Sequence, residues 1–182
     1  MNIKSRINAR KIVLTYLYEK FFVEQFAEKQ NLLEEIFKVE KDVNFVQTDD
    51  AEKQQTKDLL KGYYTIDNWQ DDIEYLTEFL FKKEKEEWID FDYIKNIVSN
   101  YSRYEDLVEQ KVDEFTSTFR YFEMDLIDRI LFVIWFTEVS EIKTDRKVVL
   151  NEMIELAKRY GDTGSFKLVN WILHKLIPEN SL

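Results

Sequence analysis

Residues 145–176 read DRKVVLNEMIELAKRYGDTGSFKLVNWILHKL, and this stretch decides the fold class. Val149, Met153, Leu156, Ala157 and Tyr160 recur at helical spacing, the stripe of a helix with one buried face. Asp145 is placed to cap its start. Gly161 is placed to end it, because glycine takes the left-handed conformation that closes a helix at little cost. Asp162, Thr163, Gly164 and Ser165 form a short loop, with Ser165 as the next cap. Val169, Ile172, Leu173 and Leu176 make a second stripe, which Pro178 stops. Two amphipathic helices joined by a polar loop are predicted here.

The rest of the chain reads the same way. Three glycines and one proline in 182 residues are too few for the tight turns of a sandwich or barrel. Charged residues, 34% and mixed in sign, suit solvated helix faces. A first helix is predicted from about Ser5 to Ala27, burying Val13, Leu14, Leu17 and Phe21. A shorter one is predicted over Asn31 to Phe37, then a loop over Val39 to Asp50. Thr48 or Asp49 would cap a third through Leu59, Leu60 and Tyr63, and a fourth carries Ile66, Trp69, Ile73, Leu76 and Leu80. The charge run KKEKEE at 82–87 is a solvated face. Between Trp88 and Tyr121, one pattern uses Phe91, Ile94 and Val98, and another uses Leu107, Lys111, Val112, Phe115 and Phe119. Residues 130–136, ILFVIWF, could be a short buried strand by length alone. Ile127, Ile130, Leu131 and Ile134 fall at helical spacing with no bounding turn residue, so a central helix enclosed on most sides is predicted. Val149, Met153, Ile172 and Leu176 should share one core with Ile130 and Ile134.

The chemistry a sequence can advertise is sparse here. There is no cysteine, and the lone His174 cannot build a histidine-rich metal site. No glycine-rich nucleotide loop and no nucleophile–histidine–carboxylate arrangement is found, so an enzyme is not expected, nor a cofactor or a metal. No apolar run approaches the ~20 residues a membrane span needs, and the N-terminus lacks a secretory h-region.

The net charge of −10 disfavours nucleic acid as a general partner, but it is unevenly placed. Residues 1–18 hold Lys4, Arg6, Arg10 and Lys11 and no acid. Arg6 and Arg10 share one face at i, i+4, with no carboxylate nearby in sequence to pair them. They are expected at an exposed helix end.

The words of the C-terminal stretch are more specific than its periodicity. LNEMIELAKRYG, a short polar loop and FKLVNWIL together resemble the C-terminal signature of the NusB family of transcription antitermination factors. The matches are Asn151, Glu152, Ile154, Glu155, Leu156, Ala157, Lys158, Gly161, Ser165, Lys167, Val169, Asn170 and Leu173. RINARKIVLTYLYE is similar to the family's opening, through Arg6, Ala9, Arg10, Leu17 and Tyr18. DRILFVIWFTEV resembles its central segment, with Glu138 as the acidic residue of a Tyr-Glu-Leu-like triplet. The chain departs from the pattern at Ser5, Ile7 and Asn8, where more basic residues often occur, and at Gly164, Leu168, Trp171 and His174.

The resemblance implies an all-α fold of two packed helical subdomains, residues 1–80 and 120–178, with a helical insertion at 81–119. It implies a cytoplasmic factor that binds boxA-type RNA of ribosomal RNA operons jointly with the ribosomal protein NusE, within the RNA polymerase antitermination complex. It carries RNA contact onto Lys4, Arg6, Arg10, Tyr18 and Lys167, and a partner surface onto Asp162, Gly164, Ser165 and Leu168. Two alternatives stay open. One is a non-catalytic protein–protein adaptor of the same fold. The other is a stand-alone RNA-recognition module like that of rRNA cytosine methyltransferases, which would need an α/β cofactor domain that this sequence does not contain.

Overall fold

The computed structural model describes residues 3–28, 51, 54–55, 58, 69–79 and 88–176. Every regular element among them is helical. The helices are α1 (Ile3–Glu28), α2 (Trp69–Phe79), α3 (Phe91–Asn100), α4 (Ser102–Phe115), α5 (Leu126–Thr137), α6 (Arg146–Tyr160) and α7 (Ser165–Lys175). The helix expected over 31–37, the loop over 39–50 and the charge run 82–87 lie outside the described residues, as do Leu59, Leu60 and Tyr63 of the third predicted helix, whose described residues 51, 54, 55 and 58 are helical. No helix among those described is long and apolar enough to cross a membrane.

The chain divides into two compact units, residues 1–18 with 71–182, and residues 19–70. The first of these holds the core. Its centre is α5, where Ile130, Leu131, Phe132, Val133, Ile134, Trp135 and Phe136 are all buried. A seven-residue apolar run can be buried on every side as one helix because its backbone hydrogen bonds are internal, so enclosure leaves no polar group unmet. Around it pack α4, α6 and α7, and α6 also packs along α7. Val149, Met153, Ile172, Leu176, Ile130 and Ile134 are all fully buried, as the stripes predict.

The helices of the segment read as an insertion are no appendage. α3 packs on α5 and on the turn that follows it, and α4 packs on α5 and α7. Ile94, Ile97, Val108 and Val112 are fully buried. Phe91, expected inside, is 45% exposed, and Tyr93 and Ile97 take the buried face with Ile94 and Val98. α3 starts at a cap formed by Asp90, whose side chain accepts from the Tyr93 N–H, so Phe91 falls in the outward half of the first turn.

Around α6 and α7 the structure departs in part from the local signals. Asp145 caps α6 as predicted, accepting from the N–H groups of Lys147 and Val148. Gly161 ends the helix but is extended, with φ −88° and ψ 173°. Glycine is needed there for space: a Cβ would lie 2.6 Å from the Ser165 Cβ and 2.9 Å from the Ala157 carbonyl oxygen. The left-handed residue is Gly164, at φ 107°, where it caps α7. Ser165 is therefore the first residue of α7, not its cap, and its side chain turns inward. Tyr160, expected in the stripe, is 43% exposed at the last turn.

α5 runs directly into a π-helical turn, Glu138–Ile142, closed by Lys143 in the left-handed region (φ 58°). The wider turn comes directly after the enclosed helix and is where Glu138 sits.

Candidate nucleic-acid interface

Glu138 is fully buried. A carboxylate at the end of an enclosed apolar run cannot reach water, so it must meet donors inside the protein. It accepts from Arg10 twice, from Nη2 at 2.7 Å and Nε at 3.0 Å, and from the Tyr93 hydroxyl at 2.9 Å. The Arg10 pair is a two-point fork, the geometry a planar guanidinium offers a carboxylate. Arg10 Nη1 also donates to Glu152 Oε2 at 3.3 Å. One turn earlier, Arg6 Nε donates to Asp90 Oδ2 at 2.9 Å, and its Nη1 lies 3.8 Å from Glu138. Both guanidinium centres lie over the Tyr93 ring, at 4.6 Å for Arg6 and 5.7 Å for Arg10.

These contacts overturn the expectation that Arg6 and Arg10 stand at an exposed helix end with no carboxylate to pair. Arg6 is 8% and Arg10 3% exposed. Their partners are 84, 128 and 142 residues away in sequence, so no local pattern could show them. Burial by itself would lower the Arg10 pKa, but the hydrogen bond and charge of Glu138 outweigh it and the net shift is upward. Burial pushes Tyr93 well up, and the neighbouring Glu138 charge adds to it. The phenol therefore stays protonated and donating at physiological pH.

The positions where the basic motif thins also face inward. Ser5 and Asn8 are buried, and Asn8 Nδ2 donates to the Trp88 carbonyl at 3.2 Å. Lys4 is exposed and sets its ammonium 3.6 Å from the Trp88 ring centroid. Thus 88–90, the lead-in to α3, clasps the start of α1 by three different contacts.

Of the remaining candidates, Tyr18 is 41% exposed, and Lys167 and Asp162 are exposed. Gly164 and Leu168 are half-buried. Ser165 is buried, contrary to its expected place on a partner surface, because its hydroxyl donates to Asp128 Oδ2 at 3.2 Å. Asp128 is itself buried on α5. Burial pushes its carboxyl up to about 6; the Ser165 hydrogen bond works against that rise, and the charges of Asp125 and Asp162 add to it. Oδ1 of Asp128 is buried with no hydrogen-bond partner among the described residues, which agrees with a carboxyl that gains a proton easily.

Sequence reasoning singled out Arg6, Arg10, Glu138 and Glu152 separately, and the structure brings all four together. It missed Asp90 and Tyr93. Asp90 carried a signal, a capping carboxylate just before a helical pattern; Tyr93 carried none. Among the described residues no cluster of histidines and carboxylates fit to hold a metal is found.

The NusB family model matches residues 64–178. The chain is 30% identical over 105 residues to the transcription antitermination protein NusB of a Cyanothece species, covering 57% of this chain and 48% of that relative. It is 28% identical over 88 residues to the protein of the same name from Staphylococcus carnosus, covering 48% of this chain and 69% of the relative. For a Staphylococcus aureus counterpart the identity is 26% over 96 residues, covering 53% and 74%. The chain thus spans about half the length of the cyanobacterial relative and more of the staphylococcal ones. No solved structure matches it.

Proposed function

This chain belongs to the NusB family, and on that premise we propose that it is a non-catalytic transcription antitermination factor that binds boxA-like RNA of ribosomal RNA operons together with NusE. One observation carries the reading furthest. The matched region begins at residue 64, yet Arg10 of the first helix is held by Glu138 and Glu152 inside it. The three signature stretches therefore meet at one buried ion network, and α1 is built into the family's core rather than appended to it.

Arg6 and Arg10 then act by seating α1, not by touching phosphate. RNA contact falls to the exposed Lys4, Tyr18 and Lys167. The loop at 162–164 with Leu168 forms the partner surface, braced from below by Ser165 on Asp128. With RNA contact resting on few cations and a net charge of −10, the protein should bind RNA weakly alone, because few counterions are released and the acidic body repels the strand. A basic ribosomal protein docked on that body would offset the repulsion and add its own phosphate contacts.

The test is a titration of labelled boxA-like RNA with the protein alone and with purified NusE, at several salt concentrations. The expected result is weak binding alone and at least tenfold tighter binding with NusE. Equal affinity in both arms would overturn the joint-binding reading. The burial of Arg6 and Arg10 favours one second reading, an adaptor that binds proteins only. Tight NusE binding with no RNA affinity in either arm would establish it.

A further inference from the structure

The last helix carries a surface that the network around Glu138 does not use. Residues 163–178 contain no Asp or Glu, in a chain with 36 of them. Val169, Ile172 and Leu173 of α7 are buried. The opposite face presents Lys167, Trp171 and Lys175 at i, i+4 and i+8, flanked by Asn170 and His174, all exposed. Trp171 is 41% exposed and lies between the two lysines along the helix. The Lys175 ammonium lies 4.2 Å from the Trp171 ring centroid and 5.9 Å from that of Phe115 on α4. The contact with the Trp171 ring biases the exposed ammonium toward this face, so somewhat less entropy is lost when it meets an anion there.

We propose that this face of α7 is a stacking platform for single-stranded RNA, with one base on the Trp171 ring and phosphates at Lys167 and Lys175. The two lysines are eight residues apart, about 12 Å along the helix axis at the usual rise, which leaves room for a base between two backbone contacts. Polyanion is the occupant that the charge favours: three potential cations, no carboxylate in the segment, and an aromatic plane that accepts any base. The inference rests on the RNA-binding reading above and adds to it a contact in which the base, not only the backbone, is held.

The experiment uses the full chain, a labelled boxA-like RNA and a labelled twelve-residue oligouridine, each with and without NusE. Trp171→Ala should weaken RNA binding by between about 5-fold and about 150-fold, the range that loss of one base–aromatic stack produces. Trp171→Phe, which keeps an aromatic plane, should recover most of the affinity. Lys167→Ala and Lys175→Ala should each reduce the log–log salt slope by about 0.7, the value for one single-strand phosphate contact. Circular dichroism and a urea titration check that each variant is folded. Photocrosslinking of the wild type with 4-thiouridine RNA should label the peptide holding Trp171, an outcome that needs no variant. If wild-type protein binds RNA and Trp171→Ala binds it equally at every salt, the platform is refuted while the RNA reading stands. If Trp171→Ala loses NusE and keeps RNA, the face is a protein-docking surface and the platform is again refuted. If the wild type binds no RNA in any arm, both readings fall together.

Discussion

Replacing Glu138 by glutamine is a small change in shape and a large one in charge. The side chain is fully buried, and three donors converge on it: Arg10 Nη2 at 2.7 Å, Arg10 Nε at 3.0 Å and the Tyr93 hydroxyl at 2.9 Å. An amide offers one oxygen and turns an NH2 group toward donors, so at least one of these bonds is lost. More costly is the charge left behind, because the Arg10 guanidinium stays 3% exposed with only the partly exposed Glu152 to balance it. Removing one partner of a buried pair costs about 3–5 kcal/mol. For a chain of this size each kcal/mol moves the melting temperature by roughly 2–4 °C, so a fall on the order of 10 °C is expected. The assay is urea unfolding followed by circular dichroism at fixed pH, with the thermal midpoint as a second readout. The double variant Arg10→Met with Glu138→Leu removes both charges and should cost less than the sum of its single changes by at least about 1 kcal/mol, since contacting residues couple. A Glu138→Gln protein within about 1 kcal/mol of wild type, or single changes that simply add, would refute the view that this network holds α1 in place.

Other outcomes follow from single residues. Met153 is fully buried on α6, which packs on α5 and α7, so Met153→Ala should lower unfolding free energy by about 2–5 kcal/mol; an unchanged urea midpoint would show the packing to be otherwise. Gly161→Ala drives a methyl to 2.6 Å from Ser165 and should cost about 1–3 kcal/mol by overpacking. Gly164→Ala meets open space but a φ of 107°, and should cost roughly 1 kcal/mol from backbone strain alone. Asp128 has a folded-state pKa of about 6, raised from 3.8. The folded state thus favours the proton, and this carboxyl costs nothing below about pH 4. It withdraws stability as pH rises from there to about 6.5, by up to about 3 kcal/mol. Urea titrations across that range should show Asp128→Asn without this loss; a parallel decline in both proteins would sink the assignment.

The sequence by itself determined the helical class and most of the buried faces of the described helices, Phe91 and Tyr160 being exceptions. Periodicity placed α1, α6 and α7 to within a few residues, and it placed the enclosed α5, because a 3.6-residue stripe is a local property that needs no partner to be read. It determined the family too, through short-range words such as LNEMIELAKRYG. It marked Glu138 only through the family resemblance and carried no sign that this carboxylate is buried. What it could not determine was where long side chains end. A basic residue on a helix reads the same whether its guanidinium meets water, phosphate or a carboxylate 128 residues later, and burial and pairing arise only when distant elements are brought together. So Arg6 and Arg10, the most RNA-like residues by sequence, are the ones that tertiary structure takes into the interior. Gly161 and Gly164 divide the same way. Both were visible as breaks, but whether each is there for its φ or for want of a Cβ depends on Ser165, whose inward turn toward Asp128 on another helix only the packed structure fixes.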